Sequence, residues 1–162
     1  MYNVRVKEKK KHFIMWQHLI GICLILLTGI FSVLFLAVHT VDQETNRIAK
    51  AKQVALSRST MVQIEDTSVF NGQDSYVTVM GEDQEGQKLA VLVAKENHAV
   101  YSYPLNKGIS QKKASAIVKD KSKDPIEQVT FGRYQGKAIW EVKTGSSYYV
   151  VDFKTGKVIR VL

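Results

Sequence analysis

From Ile20 to Val38 the chain runs IGICLILLTGIFSVLFLAV, nineteen residues without a charge. No other feature of the sequence constrains the fold as strongly. As a helix of ~1.5 Å rise per residue this stretch spans roughly 29 Å, about the thickness of a bilayer's hydrocarbon core. Lipid requires a helix there, because it offers the backbone no other hydrogen-bond partner. Ahead of it lies MYNVRVKEKKKHFIMWQH, where Arg5, Lys7, Lys9, Lys10 and Lys11 stand against Glu8 for a net +4. Positive charge beside a span stays in the cytoplasm, so residues 1–18 are expected as a basic cytoplasmic tail and 19–39 as the transmembrane helix. Everything after His39 is then outside, and Trp16 sits where an interfacial aromatic anchor belongs. The apolar run exceeds the ~7–15 residues of a signal-peptide core, and the exit Leu36-Ala37-Val38-His39-Thr40 has no A-x-A site, which predicts an uncleaved anchor. A lipid anchor on Cys23 is not expected either, since Ile22 precedes it and most of the apolar run follows it.

Cys23 is the single cysteine and lies inside the span, so the outer part has no disulfide, cysteine nucleophile or thiolate metal ligand. About 120 outer residues must therefore hold together by core burial alone, a sufficient length. They carry 18 basic and 14 acidic residues, interspersed, with mild clustering at Lys112, Lys113, Lys119, Lys121 and Lys123. That balance implies weak attraction to an anionic cell surface and gives no case for a nucleic-acid partner.

Asp42 to about Met61 lacks Gly and Pro, and Ile48, Ala51 and Ala55 share one face, which predicts a helix of four to five turns. The period then changes. Ser75–Met80 alternates, Lys88–Val93 is continuously apolar, and Ala99–Tyr103 stops at Pro104, giving a three-stranded antiparallel meander with a short fourth strand at Thr67–Phe70. Asn71-Gly72, Glu85-Gly86 and Asn97-His98 read as its turns. After Lys107-Gly108 the pattern restarts. Ser110 is a candidate N-cap, Ile109 and Ala114 fit a hydrophobic staple, and Asp124-Pro125 is the expected helix end. Strands follow at Ile126–Tyr134, Lys137–Lys143, Ser147–Phe153 and Lys157–Leu162, with turns at Gln135-Gly136, Thr144-Gly145 and Thr155-Gly156. Helix-then-meander thus occurs twice at a spacing of about 62 residues, with Phe70-Asn71-Gly72 matching Phe131-Gly132. The expected fold class is α+β: one N-terminal transmembrane helix, then two small units, 40–106 and 107–162, each a helix on an antiparallel sheet.

Ala138-Ile139-Trp140-Glu141-Val142, Tyr148-Tyr149-Val150-Val151-Asp152-Phe153 and the turn Lys154-Thr155-Gly156-Lys157 into Val158-Ile159-Arg160-Val161 resemble a PepSY-type module. With the basic tail, single anchor and two cystatin-like units, the whole plan resembles the YpmB/TseB-like family of Gram-positive bacteria. The resemblance covers nearly the whole chain and implies an accessory protein of the bacterial cell membrane that binds a cell-wall-synthesising penicillin-binding protein outside it. It supplies no catalytic residues. The cystatin-like and PepSY likeness also implies an alternative, a protease-inhibitory or pro-domain-like chaperone module acting on an exported peptidase.

Motifs that could carry chemistry have plainer readings. Ser110-Gln111-Lys112-Lys113 fits S-x-x-K, and K-T-G occurs at Lys143-Thr144-Gly145 and Lys154-Thr155-Gly156. Transpeptidases need K-T-G on a strand beside the serine, with S-D-N nearby; here both copies fall in hairpin turns and S-D-N is missing. His98 is the single histidine clear of the membrane, too few for a zinc site, and no base–nucleophile set stands out. Glu82-Asp83-Gln84-Glu85-Gly86 lacks the spacing of a calcium loop and reads as a solvated hairpin tip. Gly132–Lys137 is one residue short of a P-loop. The expectation is therefore no enzyme, no cofactor, no metal and no small-molecule substrate. Within the span, Gly21, Thr28 and Ser32 share a face suited to packing on another helix. For a protein partner the candidate anchors are strand aromatics: Tyr101, Tyr103, Trp140, Tyr148 and Tyr149. Adjacent Tyr148 and Tyr149 must point to opposite faces.

Overall fold

A computed structural model describes residues 2–97 and 99–162, with side chains described for 16–39, 43–97 and 99–162. His98 and its expected turn, and the side chains of the basic tail, lie outside the described residues.

The fold is α+β, with one long N-terminal helix, α1 (Tyr2–Arg58), and two four-stranded antiparallel sheets. Contact density divides the chain at Thr45/Asn46. In the first part, an 18-residue window reaches a mean hydropathy of 2.8 with none of it buried, so the helix is long and apolar enough to cross a membrane. The Thr28 hydroxyl donates to the Leu24 carbonyl and the Ser32 hydroxyl to that of Thr28. The helix backbone thereby satisfies both of these hydroxyls.

In Asn46–Leu162, the end of α1 covers the first sheet, whose strands β1 (Met61–Asn71), β2 (Ser75–Asp83), β3 (Lys88–Ala94) and β4 (Val100–Pro104) pair in sequence order. Buried Ala51 and Ala55 lie on Val77, Val79, Leu89, Val91 and Val93. Alanine at both contact points lets the helix approach the sheet closely. On the opposite face Tyr76, Ala90 and Leu92 join a second cluster. Strand β3 is thus buried on both sides, which is why its sequence lacks the alternation of a half-exposed strand.

Two sequence expectations are corrected here. The helix stops at Arg58 rather than near Met61, because the Ser59 hydroxyl donates back to the Ala55 carbonyl and accepts from the Met61 N–H. Strand β1 then has 11 residues, where only Thr67–Phe70 was expected. Its register shifts at Met61/Gln63 and again at Ile64/Asp66, which destroys the period-two pattern over the first half.

The second sheet repeats the meander with β5 (Ile126–Tyr134), β6 (Lys137–Thr144), β7 (Ser147–Asp152) and β8 (Val158–Val161). Helix α2 (Gln111–Lys119) buries Ala114 and Val118 on it, and the Ser110 hydroxyl caps it by accepting from the Lys113 N–H at 3.2 Å. The helix ends at Lys119, five residues before the expected Asp124-Pro125. Ser122 sets the exit: its hydroxyl donates to Thr144 Oγ1 and accepts from the Asp124 N–H, fastening the chain to β6. The β5–β6 turn has Gln135 and Gly136 at φ 48° and 79°, the pair of positive values that a two-residue hairpin matching the strand twist requires.

The two sheets meet in one core. Strand β5 is an edge strand, so carbonyls on its free side have no ladder partner. The Thr78 hydroxyl, from the middle of the first sheet, donates to the Phe131 carbonyl at 2.7 Å. Phe131 also stacks edge-on to Tyr103, Trp140 and Phe153 at ring separations of 5.8, 4.9 and 5.1 Å. Burying a side chain of this size is worth ~1.5–3 kcal/mol.

Candidate docking surfaces

Trp140 shows which face of the second sheet is covered. Its Nε1 donates to the Ile109 carbonyl, just before α2, at 2.9 Å, and its ring is 2% exposed. The expectation that Trp140 anchors a partner is therefore corrected: its polar end and both faces are used inside the core, and no surface is left to offer.

Glu141 is the next residue on β6, so it points to the face opposite α2. There Thr130, Glu141, Val150 and Arg160 form one row across the four strands. Phe70 and the turn after β1 lie over part of this open, helix-free face, whose Thr130 and Val150 are buried, and together they enclose a cleft of about 670 Å³. Arg160 Nη1 on β8 donates to the Tyr134 hydroxyl on β5, joining the outermost strands of the sheet. Those strands would lie about 14 Å apart in a flat sheet, and twist brings their corners together.

Burial pushes the Glu141 carboxyl above its ordinary value. Among the described residues it has neither a hydrogen bond nor an ion pair. An unpartnered carboxylate in a half-buried cleft favours a cationic or hydrogen-bond-donating group brought by something else.

The tyrosines are dispersed. Tyr148 is 37% exposed and lines the open-face cleft, with Lys143 Nζ 6.0 Å from its ring centre. Tyr149 points the other way and is half-buried against the core, as alternation requires. Tyr101 is half-buried beneath Arg133, whose guanidinium lies 4.0 Å from the ring centre. Tyr103 lines a separate cleft. The five residues thus form no single surface. Sequence reasoning passed over Glu141 and Arg160, although the position of Glu141 between Trp140 and Val142 already fixes its face.

The residues with tempting motifs are occupied locally. Ser110 Oγ caps α2. Thr144 is buried, while Lys143 pairs with Glu127 at 2.6 Å. The Asp83 carboxylate accepts from the Glu85 and Gln87 N–H groups and closes its own hairpin.

Comparison with known proteins agrees with this architecture. Residues 50–94, the end of α1 through β3, match the family described as the cell wall elongation regulator TseB-like domain. The chain is 30% identical over 152 residues to the probable cell wall elongation regulator TseB of Bacillus subtilis (strain 168), covering 84% of this chain and 94% of that protein. The solved structure of the YpmB protein from Bacillus subtilis superposes with a TM-score of 0.64 at 28% identity, covering 70% of this chain and 94% of that one.

Proposed function

Since the chain belongs to the YpmB/TseB-like family of cell wall elongation regulators, we propose that it is a membrane-anchored regulator of cell-wall elongation that docks on a penicillin-binding protein. In this reading the apolar part of α1 crosses the cell membrane with the N-terminus inside, and two helix-on-sheet units lie outside. The open face of the second sheet is the docking surface, and Tyr148, Glu141 and Arg160 are its contacts. The observation that carries the reading is the cleft itself. It is the sheet face left without a helix, it is concave, and it holds an aromatic ring beside charged groups of both signs. Such a mixture suits a protein partner better than a small apolar ligand. The anchor serves the same end, because tethering raises the effective concentration for a membrane-bound partner without new contacts. The role is regulatory and needs no catalytic group of its own.

Photo-crosslinking in living cells tests this, with probes in place of Tyr148 and Arg160 and a control probe at Glu85 on the far hairpin tip. Recovery of one penicillin-binding protein from the first two positions and not the third is the expected result. Recovery of an exported peptidase there would favour the inhibitory-module alternative. Background alone at both positions, with the chain present in the membrane fraction, would sink the docking surface.

A further inference from the structure

The second unit differs from the first in charge. Residues 107–162 carry twelve lysines and arginines against five aspartates and glutamates, whereas residues 46–106 carry six against seven. Part of that excess gathers around a cleft of about 540 Å³ that shares no lining residue with the one bordered by Tyr148. Three separate chain segments bring a lysine to its rim: Lys107 before α2, Lys137 at the start of β6, and Lys154 in the turn after β7. All three are exposed, and among the described residues none has a carboxylate within ion-pair distance. Among the described residues that line the cleft, Asp152 is the one acidic group. Burial works against ionisation of its carboxylate, but the Thr155 N–H and hydroxyl at 2.7 and 2.8 Å, helped by the charge of Lys137, hold its pKa below the ordinary value. The rim therefore keeps a positive surplus.

The floor has a different character. Tyr103, Pro104, Ala138 and Phe153 line it, and the Tyr103 ring is braced edge-on against Phe131. An apolar recess under a cationic rim selects against a fully hydrated polyanion, which would leave the floor wet. It also selects against a flat lipid surface, which cannot enter a recess.

We propose that this cleft binds an acidic segment of a partner polypeptide, whose apolar side chain fills the floor while flanking carboxylates meet Lys107, Lys137 and Lys154. Three like charges around one cleft outnumber its single carboxylate, and carboxylates from outside offset that surplus while adding attraction. This cleft and the one at Tyr148 have no residue in common, so the proposal does not depend on which partner Tyr148 meets.

Fluorescence anisotropy tests it on the full chain in nanodiscs of zwitterionic lipid, with the fluorescein-labelled peptide Glu-Asp-Phe-Leu-Glu-Asp as probe. Saturable binding is expected, about tenfold weaker for Glu-Asp-Ser-Ser-Glu-Asp. The charge-reversed pair Lys107→Glu and Lys154→Glu, both solvent-exposed, should weaken the Phe-Leu peptide by at least about tenfold with an unchanged unfolding curve. Crosslinking from position 148 gives a separate readout that this variant leaves intact. Three results would overturn the proposal: no saturable binding, equal affinity for the serine peptide, or indifference to the charge reversal. Displacement of the Phe-Leu peptide by phosphatidylglycerol vesicles through the same lysines would replace it with a lipid site.

Discussion

The Thr78 hydroxyl and the Phe131 carbonyl, 53 residues apart in the chain, form a 2.7 Å hydrogen bond between residues that are both fully buried. It is a polar tie through an apolar seam, and it satisfies a carbonyl on the free edge of β5. Thr78→Val keeps the shape and removes the donor, leaving that carbonyl buried and unpaired. A loss of ~1–3 kcal/mol is expected, with Thr78→Ser retaining most of the stability. Urea unfolding followed by Trp140 fluorescence in a Trp16→Phe background measures both.

Gly132, next to Phe131, packs closely against Phe70 of the first sheet. A Cβ at this position would lie 2.4 Å from the Phe70 ring. Gly132→Ala should therefore destabilise by ~1–3 kcal/mol, the usual cost of overpacking. Pairing it with Phe70→Leu, which withdraws the ring, should cost less than the sum of the two single changes, and a double-mutant cycle reads that coupling directly. Strict additivity would mean that the Phe70 contact is not what excludes the methyl group.

Trp140 ties the second sheet to the entry of α2 through Ile109. Trp140→Phe preserves most of the apolar contact and deletes the indole N–H, leaving the Ile109 carbonyl without that donor. The expected loss is roughly 1–3 kcal/mol. Thermal unfolding by circular dichroism checks the loss. A photo-crosslinker at position 140 is expected to capture nothing, since the side chain meets only its own protein.

Burial raises the Glu141 pKa above the ordinary glutamate value of 4.5. The folded state thus binds the proton more tightly than the unfolded state does. The stability associated with this group is fully present below the ordinary value and is lost as pH rises through the raised one. Glu141→Gln removes that dependence. The variant should match the parent protein near pH 4 and exceed it in Tm near pH 7, a gap absent if the carboxylate is solvated when folded. Under the docking proposal, the same change should reduce partner crosslinking from position 148 even as it stabilises the protein.

Much of the plan was legible in order and kind. The apolar run of α1, the two meanders, the Ser110 cap and the Gln135-Gly136 turn all announce themselves through local chemistry. The misjudged ends have local causes too. Two bulges hid the first half of β1, and Ser122 turned the chain out of α2 before Asp124-Pro125 was reached. For docking residues the aromatic signal was weaker, because a tyrosine or tryptophan in a strand has the same sequence signature whether it faces a partner or a core. Alternation separated Tyr148 from Tyr149, yet it could not say which of the two faced outward.

By itself the sequence determined what depends on neighbours along the chain: where an element has the length and hydropathy to span lipid, where periodicity makes helix or strand, and where a cap or turn ends it. Only the tertiary structure decided which sheet face stayed open, that Thr78 would meet Phe131, that Trp140 would be consumed by the core, and that Lys107, Lys137 and Lys154 would surround one cleft. The reason is physical. Periodicity records that a side chain has an inside and an outside, but the identity of what covers it is set by residues dozens of positions away, brought there by burial that no local pattern encodes.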